Sequence, residues 1–247
     1  MSAQFAVILP AAGRSSRFND ANTKKPFVTL DGRPVWMHSA ERFSSRDDVK
    51  QILIVIAADD EGEFKAKFGA NLALLGVEIV IGGAERTDSV AAAIAKVKAD
   101  IDFVAIHDAA RPCIADDWID KVFREAEKSG AAILANPVTA TLKRVGADKQ
   151  ITETVPREGL WEAQTPQVFA RKLLIDAYAR RTGKLATDDA QLVEQFGHKV
   201  AVVQGSSMNI KITTKEDLKI AAALLKALPK PRGMGPVHPF AGDDLWR

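Results

Sequence analysis

The sequence predicts an α/β protein with a doubly wound, mostly parallel central sheet. Six short apolar runs are almost uninterrupted by polar residues, which is typical of strands buried on both faces of a parallel sheet. Amphipathic stretches separate these runs, and this alternation of strands and helices favours right-handed crossovers. The predicted strands are Phe5–Leu9, Ile52–Ala57, Val77–Ile81, Phe103–Ile106, Ala131–Ala135 and Val200–Val203.

The predicted helices have apolar residues at helical spacing. They span Val35–Phe43, Glu61–Phe68, Ser89–Lys98, Asp116–Ser129, Lys172–Arg181 and Asp188–Phe196. A last helix begins at Thr213 or Thr214 and ends near Leu228, because Pro229 stops it. Thr213 and Glu216 have the spacing of a capping box at its start.

One polar segment interrupts the alternation. Residues 141–155 contain two short alternating runs around a turn at Gly146–Lys149, which predicts a β-hairpin. The hairpin is too polar for the central sheet, so we expect residues 138–160 to protrude as an arm. Because exposed strand edges are usually protected by pairing, the arm predicts a homodimer. Residues 1–228 then form a single domain, and the tail 229–247, rich in proline and glycine, is expected to be loosely ordered.

Composition and charge exclude several classes of function. The 247 residues have a formal net charge of +2, so no global field would attract nucleic acid. The first apolar run, Phe5–Leu9, follows no basic region and is too short for a signal-peptide core or a membrane span. Cys113 is the single cysteine and has no partner for an intrachain disulfide, which fits a reducing compartment. We therefore expect a cytoplasmic protein without membrane contact.

A loop of small residues follows the first predicted strand. Ligands of open α/β sheets bind beyond the carboxyl ends of the strands, and Ala11, Ala12 and Gly13 would let a phosphate or a base approach the backbone amides. Arg17 and Lys25 add the positive charge that a nucleoside triphosphate requires. The loop matches neither the dinucleotide-binding nor the P-loop pattern. Taken alone, it also fits an ordinary turn with solvated arginines.

A pair of glycines forms the second candidate loop. Gly82 and Gly83 follow a predicted strand and permit a tight turn with close backbone contact. Ser89 lies in the first turn of the helix that follows. The alternative is a simple glycine turn with Ser89 or Asp88 as a helix cap, which we prefer for Asp88.

An aspartate at the end of a buried strand marks the third candidate loop. Asp108 comes directly after Phe103–Ile106 and His107, where a carboxylate can hold Mg²⁺ against triphosphate oxygens. Ala109 would leave room for a ribose, and Arg111 would pair with a phosphate or fix the loop. The alternative role of Asp108 is to cap the next helix.

These strings together resemble a known superfamily, the sugar nucleotidyltransferases. The opening P-A-A-G from Pro10, with Arg17 and the K-K-P-F string from Lys24, is similar to the superfamily's first loop. With G-G-x-x-R-x-x-S-V from Gly82, H-D-A-A-R-P from His107 and N-I-K-I-T from Asn209, the chain resembles the 2-C-methyl-D-erythritol 4-phosphate cytidylyltransferase family over about residues 5–228. The resemblance implies a Rossmann-like nucleotidyltransferase fold. It also implies that CTP and methylerythritol phosphate react to CDP-methylerythritol and pyrophosphate, in non-mevalonate isoprenoid biosynthesis.

The resemblance implies a role for each matching residue near CTP. Arg17, Lys25 and Lys211 would be the catalytic cations, and Gly83 and Ser89 would contact the cytosine. The other implied CTP-binding residues are Ala11, Ala12, Gly13, Asp108, Ala109 and Arg111. Asp108 would also hold Mg²⁺ or another divalent cation, with Asn209 as a second candidate ligand.

Residues around the arm would bind the polyol phosphate. The strings R-x-x-L-W from Arg157 and Q-T-P-Q-x-F from Gln164 resemble those of the family. This implies that Thr141 and Arg157 bind methylerythritol phosphate across a dimer interface, and that Thr165 lines the same pocket. An arginine fork suits a phosphate monoester.

The chain departs from the family pattern at Pro26, Ala84, Ala140 and Met208. Met208 stands where the family has an acidic residue, and a methionine sulfur is a poor ligand for Mg²⁺. Three alternatives stay open at this point. The first is a cytidylyltransferase that acts on ribitol 5-phosphate, and the second is an enzyme that transfers a different nucleotide, such as a uridylyl- or guanylyltransferase. The third is a CTP-binding relative without catalytic activity.

Overall fold

The computed structural model describes residues 2–13, 27–181 and 186–229. Arg17, Lys25 and nearly all of the predicted tail lie outside the described residues, so the predictions made for them stay predictions. The division into one domain and a tail likewise stays a prediction.

Within these ranges, seven strands form one central sheet. They are β1 (Phe5–Pro10), β4 (Val49–Ile56), β5 (Val77–Ile81), β6 (Phe103–Ile106), β7 (Ala131–Pro137), β10 (Trp161–Ala170) and β11 (Ala201–Gln204). Their spatial order is β11-β7-β10-β6-β1-β4-β5. Neighbours run parallel except for β10, which is antiparallel to both β6 and β7. The predicted doubly wound, mostly parallel α/β fold is confirmed.

The helices cover both faces of this sheet. They are α1 (Val35–Ser44), α2 (Glu61–Leu75), α3 (Arg86–Ile94), α4 (Asp116–Ser129), α5 (Arg171–Ala179), α6 (Asp189–Gln195) and α7 (Lys215–Ala227), and a short strand pair, β2 (Thr29–Leu30) and β3 (Arg33–Pro34), precedes α1. In β1, Phe5, Val7 and Leu9 face the core formed with α1, α2 and α4, whereas Ala6 and Ile8 face the core formed with α3, α5 and α6. Both faces of the strand are thus buried, which explains its continuous apolar run.

One strand was missed by the sequence analysis, and one prediction about a helix cap is wrong. The strand β10 was not among the predicted strands, because buried Gln164, Thr165 and Gln167 interrupt its apolar pattern. The capping box of α7 is formed by Thr214 and Asp217, not by Thr213 and Glu216. Asp217 Oδ2 accepts hydrogen bonds from the backbone N–H groups of both threonines, which places the cap one residue later.

The predicted hairpin is confirmed. Its strands, β8 (Leu142–Val145) and β9 (Ile151–Val155), pair only with each other among the described strands, in an antiparallel sheet of their own. The turn is closed by a hydrogen bond of 3.0 Å from the N–H of Lys149 to the carbonyl of Gly146. Val145 and Ile151 are 51% and 62% exposed, so the hairpin carries uncovered apolar side chains. Its role in dimerisation stays a prediction.

The sheet order places a topological switch point between β1 and β6. After β1 the chain adds β4 and β5 on one side, and it then crosses to β6 on the other side. The loops that leave β1 and β6 therefore diverge at the carboxyl edge of the sheet, where ligands of doubly wound folds bind. None of the helices in the described part of the chain is long and apolar enough to cross a membrane.

Candidate active site

A cavity of about 770 Å³ opens at this carboxyl edge, and we call it the central cavity. Its lining includes most of the residues that the sequence singled out for CTP. These are Ala11, Ala12, Gly13, Gly83, Ser89, Asp108, Ala109 and Lys211. A cavity of this size is within the range of small-molecule sites. Residues from four separate loops thus line one cavity.

Close packing of this turn against the start of α3 explains why glycines stand at positions 82 and 83. A Cβ on Gly82 would lie 2.6 Å from Ser89 Oγ, and one on Gly83 would lie 2.5 Å from Asp88 Cβ. Ser89 Oγ accepts a hydrogen bond of 3.2 Å from the N–H of Gly83. The turn is therefore fixed against the first turn of α3. Asp88 pairs with Arg181 at 2.8 Å.

Asp108 is surrounded by three cationic side chains of the described residues. Its Oδ2 lies 2.8 Å from Lys211 Nζ and 3.6 Å from Arg111 Nε, and its Oδ1 lies 3.8 Å from Arg86 Nη2. Burial alone would raise the pKa of the Asp108 carboxyl group, but Lys211, Arg86 and Arg111 together lower the pKa to about 2. Asp108 is therefore ionised at neutral pH. The N-cap of α4 is Ala115, so the alternative role of Asp108 as a helix cap is wrong.

Two hydrogen bonds between loops hold Lys211 next to Asp108, one between backbone groups and one from a side chain. The N–H of Ile212 donates to the carbonyl of Ala110 at 2.8 Å. Arg111 Nη1 donates to the carbonyl of Asn209 at 2.7 Å. The loop that carries Lys211 is thus tied on both sides of the lysine to the loop that carries Asp108. Lys211 itself remains 40% exposed and faces the central cavity.

The buried side chain of Thr165 links these loops to β10. Its Oγ1 accepts a hydrogen bond of 3.1 Å from the N–H of Asp108 and lies 3.1 Å from His107 Nδ1. His107 Nε2 lies 3.0 Å from the carbonyl of Arg111, so Nε2 carries the proton and Nδ1 accepts from the Thr165 hydroxyl. Burial lowers the pKa of His107 to about 4, which keeps the ring neutral. His107 thus has a structural role, because it ties Thr165 to the loop that carries Asp108.

Three of the predicted site residues lie behind the lining of the central cavity. Arg111, Thr165 and Asn209 are not among its lining residues. Asn209 is fully buried and donates to the carbonyl of Thr165 at 2.8 Å, while its Oδ1 has no hydrogen-bond partner. Met208 packs against the apolar cluster beside α7. Direct contact of Arg111, Thr165 or Asn209 with a ligand stays a prediction.

The arm residues that were predicted to bind the polyol phosphate lie apart from the central cavity of their own chain. Thr141 and Arg157 are exposed at the base of the hairpin, and neither lines the cavity. Arg157 Nη1 donates a hydrogen bond to the carbonyl of Thr139. This placement is compatible with the predicted contact across a dimer interface, which remains a prediction.

Sequence reasoning did not assign a role to a buried ion pair at the edge of the central cavity. Arg86, which lines the cavity, donates to both carboxylate oxygens of Asp189, at 3.1 and 2.7 Å. Asp188, next to it, caps α6 by accepting from the N–H of Gln191 at 3.0 Å. The sequence signal for this pair was the place of Arg86 in the family-like string that begins at Gly82.

Comparisons with known proteins match the family that the sequence strings resemble. The family model described as 2-C-methyl-D-erythritol 4-phosphate cytidylyltransferase matches residues 5–227. A protein of that name from Rhodopirellula baltica is 45% identical over 235 residues, which cover 91% of this chain and 96% of the relative. Another from Bacillus licheniformis is 42% identical over 225 residues, 90% of this chain and 96% of the relative.

A solved structure supports the same assignment. The crystal structure of 2-C-methyl-D-erythritol 4-phosphate cytidylyltransferase from Thermus thermophilus superposes with a TM-score of 0.73 and is 34% identical. The match covers 92% of this chain and 100% of that one. The comparisons therefore favour this family over ribitol phosphate enzymes and over a non-catalytic relative. Since the matches extend over nearly the whole chain, the protein is a nucleotidyltransferase that belongs to the 2-C-methyl-D-erythritol 4-phosphate cytidylyltransferase family.

Proposed function

We propose that the protein transfers the CMP part of CTP to 2-C-methyl-D-erythritol 4-phosphate, and that this reaction takes place in the central cavity. A phosphate oxygen of the polyol phosphate attacks the α-phosphorus of CTP in line. The bond from this phosphorus to the bridging oxygen of the β-phosphate breaks, and pyrophosphate leaves with the electron pair. The convergence of Lys211, Arg86 and Arg111 on Asp108 at the switch point of the sheet is the observation that carries this proposal.

The reaction needs charge neutralisation more than a general base. A phosphate monoester has a second pKa of about 6, so the nucleophile is already ionised at neutral pH. The neutral, buried ring of His107 is held by two hydrogen bonds and is not needed as a base. The protein then contributes mainly by positioning the two substrates and by stabilising charge that moves to the leaving group. Lys211 is the described cation best placed for this, because its ammonium is exposed to the cavity.

The lining of the central cavity suggests where the parts of CTP lie. Ala11, Ala12 and Gly13 have small side chains or none, so that phosphates can reach their backbone amides. Gly83 and Ser89, which are joined by a hydrogen bond, would face the cytosine. Ala109, next to Asp108, leaves space for the ribose. Arg17 and Lys25 would complete the positive charge around the triphosphate.

The carboxylate of Asp108 at the wall of the central cavity fits a divalent cation that arrives with the triphosphate. Among the described residues no cluster of three or more His, Cys, Asp or Glu could hold a metal on its own. Mg²⁺, however, is commonly bound by one or two carboxylates together with substrate phosphates, and Asp108 supplies an ionised carboxylate at the cavity wall. A bound cation would neutralise charge on the phosphate oxygens. Asn209, whose Oδ1 has no partner, is the second candidate ligand.

A homodimer would complete the site for the second substrate. Thr141 and Arg157 do not line the cavity of their own chain, so they would reach it only from the arm of a second copy. The exposed apolar side chains Val145, Ile151 and Trp161 on and beside the arm would be covered in such a dimer. The buried free thiol of Cys113 fits a cytoplasmic location, which we also propose.

Pyrophosphate release by the purified protein tests the proposed function. The assay contains Mg²⁺, one of the four nucleoside triphosphates, and one polyol phosphate from a panel with methylerythritol 4-phosphate and ribitol 5-phosphate. We expect turnover with CTP and methylerythritol 4-phosphate at a kcat/KM well above that of any other pair. Preference for ribitol 5-phosphate, or binding of CTP without turnover, would contradict the proposal.

A further inference from the structure

We infer that Asp189 is a positioning residue for the nucleotide site, because it holds Arg86 away from Asp108. The inference deepens the proposed function and rests on it. Arg86 is the first residue of α3 and lines the central cavity, whereas the side chain of Asp189 is fully buried behind it. Asp189 cannot touch a substrate and can act only through its neighbours.

Two carboxylates compete for the guanidinium of Arg86. Its Nη2 lies 2.7 Å from Asp189 Oδ2 but 3.8 Å from Asp108 Oδ1. The first distance is a charge-assisted hydrogen bond, and the second is too long for any hydrogen bond. Because Nη1 also donates to Asp189, the pair is bidentate, which fixes the plane of the guanidinium. Asp189 thus keeps Oδ1 of Asp108 free of a direct bond to Arg86.

The surroundings of Asp189 hold its carboxylate in place. The hydroxyl of Tyr178, on α5, donates a short hydrogen bond to Asp189 Oδ1. Gln167 Oε1 accepts from the backbone N–H groups of Asp189 and Ala190, at 3.1 and 3.0 Å. Gln167 lies on β10 and pairs with Ile106 of β6. Ile106 stands two residues before Asp108 in the chain. The position of Asp189 is therefore fixed relative to the strand that carries Asp108.

Loss of the charge of Asp189 would change the nucleotide site. Among the described residues the nearest other carboxylate to Arg86 is Asp108, so a neutral residue at position 189 would let the guanidinium turn toward it. A direct Arg86–Asp108 pair would occupy the carboxylate that the proposed function assigns to CTP and its metal. We therefore expect an effect on nucleotide affinity, whereas a purely structural pair would affect only stability.

A double-mutant cycle between Asp189→Asn and Arg86→Gln tests this inference. We expect D189N to raise the Kd of CTP and the KM for CTP by about ten- to a hundredfold, the range seen when a group that orients a binding residue is removed. The change in kcat should be smaller. Since Asp189 acts through Arg86, D189N should have no further effect in the R86Q background. Asp189→Glu, which keeps the charge, should restore part of the affinity.

A matched control separates positioning from stability. Asp120 of α4 pairs with Arg46 at 2.7 Å, also with little exposure, and neither residue lines the central cavity. Asp120→Asn should lower the melting temperature and leave the Kd of CTP unchanged. A wild-type Kd in D189N, or an undiminished effect of D189N in the R86Q background, would overturn the inference.

One readout does not depend on turnover. Rotation of the Arg86 guanidinium, followed by NMR with no ligand present, should be slow in the wild-type protein, where the pair with Asp189 is bidentate. It should be faster in D189N, because Asp108 already pairs with Lys211 and would hold the guanidinium less firmly. If the wild-type protein releases no pyrophosphate, the proposed function fails. The NMR measurement would still show whether Asp189 holds the guanidinium of Arg86 in place. If D189N does not fold, Tyr178→Phe takes its place. Faster rotation and a Kd at least about twofold higher would then support the inference, and unchanged values would overturn it.

Discussion

The ammonium group of Lys211 lies 2.8 Å from Oδ2 of Asp108, at the wall of the central cavity. The two residues belong to loops that are joined by the backbone hydrogen bond from Ile212 to Ala110. Lysine and aspartate therefore neutralise each other until a ligand binds. In the proposed reaction, a divalent cation would take the carboxylate and the phosphates of CTP would take the ammonium.

Replacement of Asp108 by Asn should have opposite effects with and without metal. The variant keeps Lys211, Arg86 and Arg111 but loses the negative charge between them, so metal-free CTP should bind at least as tightly as to the wild-type protein. Turnover with Mg²⁺ should fall by about ten- to a hundredfold. Calorimetry in EDTA and kcat over a Mg²⁺ titration measure the two effects. Weaker binding of CTP in EDTA, or an unchanged kcat with Mg²⁺, would argue against a metal role. Asp88→Asn, which removes an exposed ion pair, serves as the control.

Mixed dimers should reveal the proposed sharing of the site between subunits. Lys211→Ala damages the cavity and Arg157→Ala damages the arm, so a dimer of one chain of each kind keeps one intact site. Random association makes half of the dimers mixed, so activity at low substrate should recover to roughly a quarter of the wild-type value. Pyrophosphate release after co-refolding of the two variants measures this. Recovery no greater than the average of the separate variants would contradict a shared site.

Stability should fall between pH 7 and pH 5 because of His107. Burial lowers the pKa of this ring to about 4, whereas the unfolded chain has the ordinary value of about 6.5. Between these values the unfolded state binds a proton that the folded state does not bind, so acid favours unfolding. The free energy of unfolding should drop by about 2 kcal/mol from pH 7 to pH 5.

Urea unfolding at the two pH values measures this slope. His107→Gln should lose this part of the slope, while His38, whose pKa is also lowered by burial, should keep its own contribution. The same pH dependence in the variant and in the wild-type protein would show that His107 does not titrate as the structure indicates.

The sequence predicted the parts of the site that depend on strand ends. Asp108 follows β6 and Ala11–Gly13 follow β1, and because both strands are continuous apolar runs, their carboxyl ends could be placed at one edge of the sheet. Lys211 was assigned through the family resemblance, since nothing in the local pattern around it distinguishes a catalytic lysine from one at a strand edge.

Hydrogen bonds and ion pairs between residues far apart in the chain could not be predicted from local sequence patterns. In β10, Gln164, Thr165 and Gln167 are buried because each makes hydrogen bonds to a distant loop, and an apolar-pattern criterion rejects such a strand. The pairing of Arg86 with Asp189 depends on how α3 and α6 pack on one face of the sheet. No local periodicity encodes that packing.

The turnover of Lys211→Ala tests the central claim most directly. Under saturating CTP, Mg²⁺ and methylerythritol 4-phosphate, we expect its kcat to fall by about a hundredfold or more, as is typical when a preorganised charge at the reacting group is removed. Its melting temperature should stay close to the wild-type value, and Lys121→Ala, on the exposed side of α4, should leave kcat unchanged. A wild-type kcat in a folded Lys211→Ala protein would contradict the account.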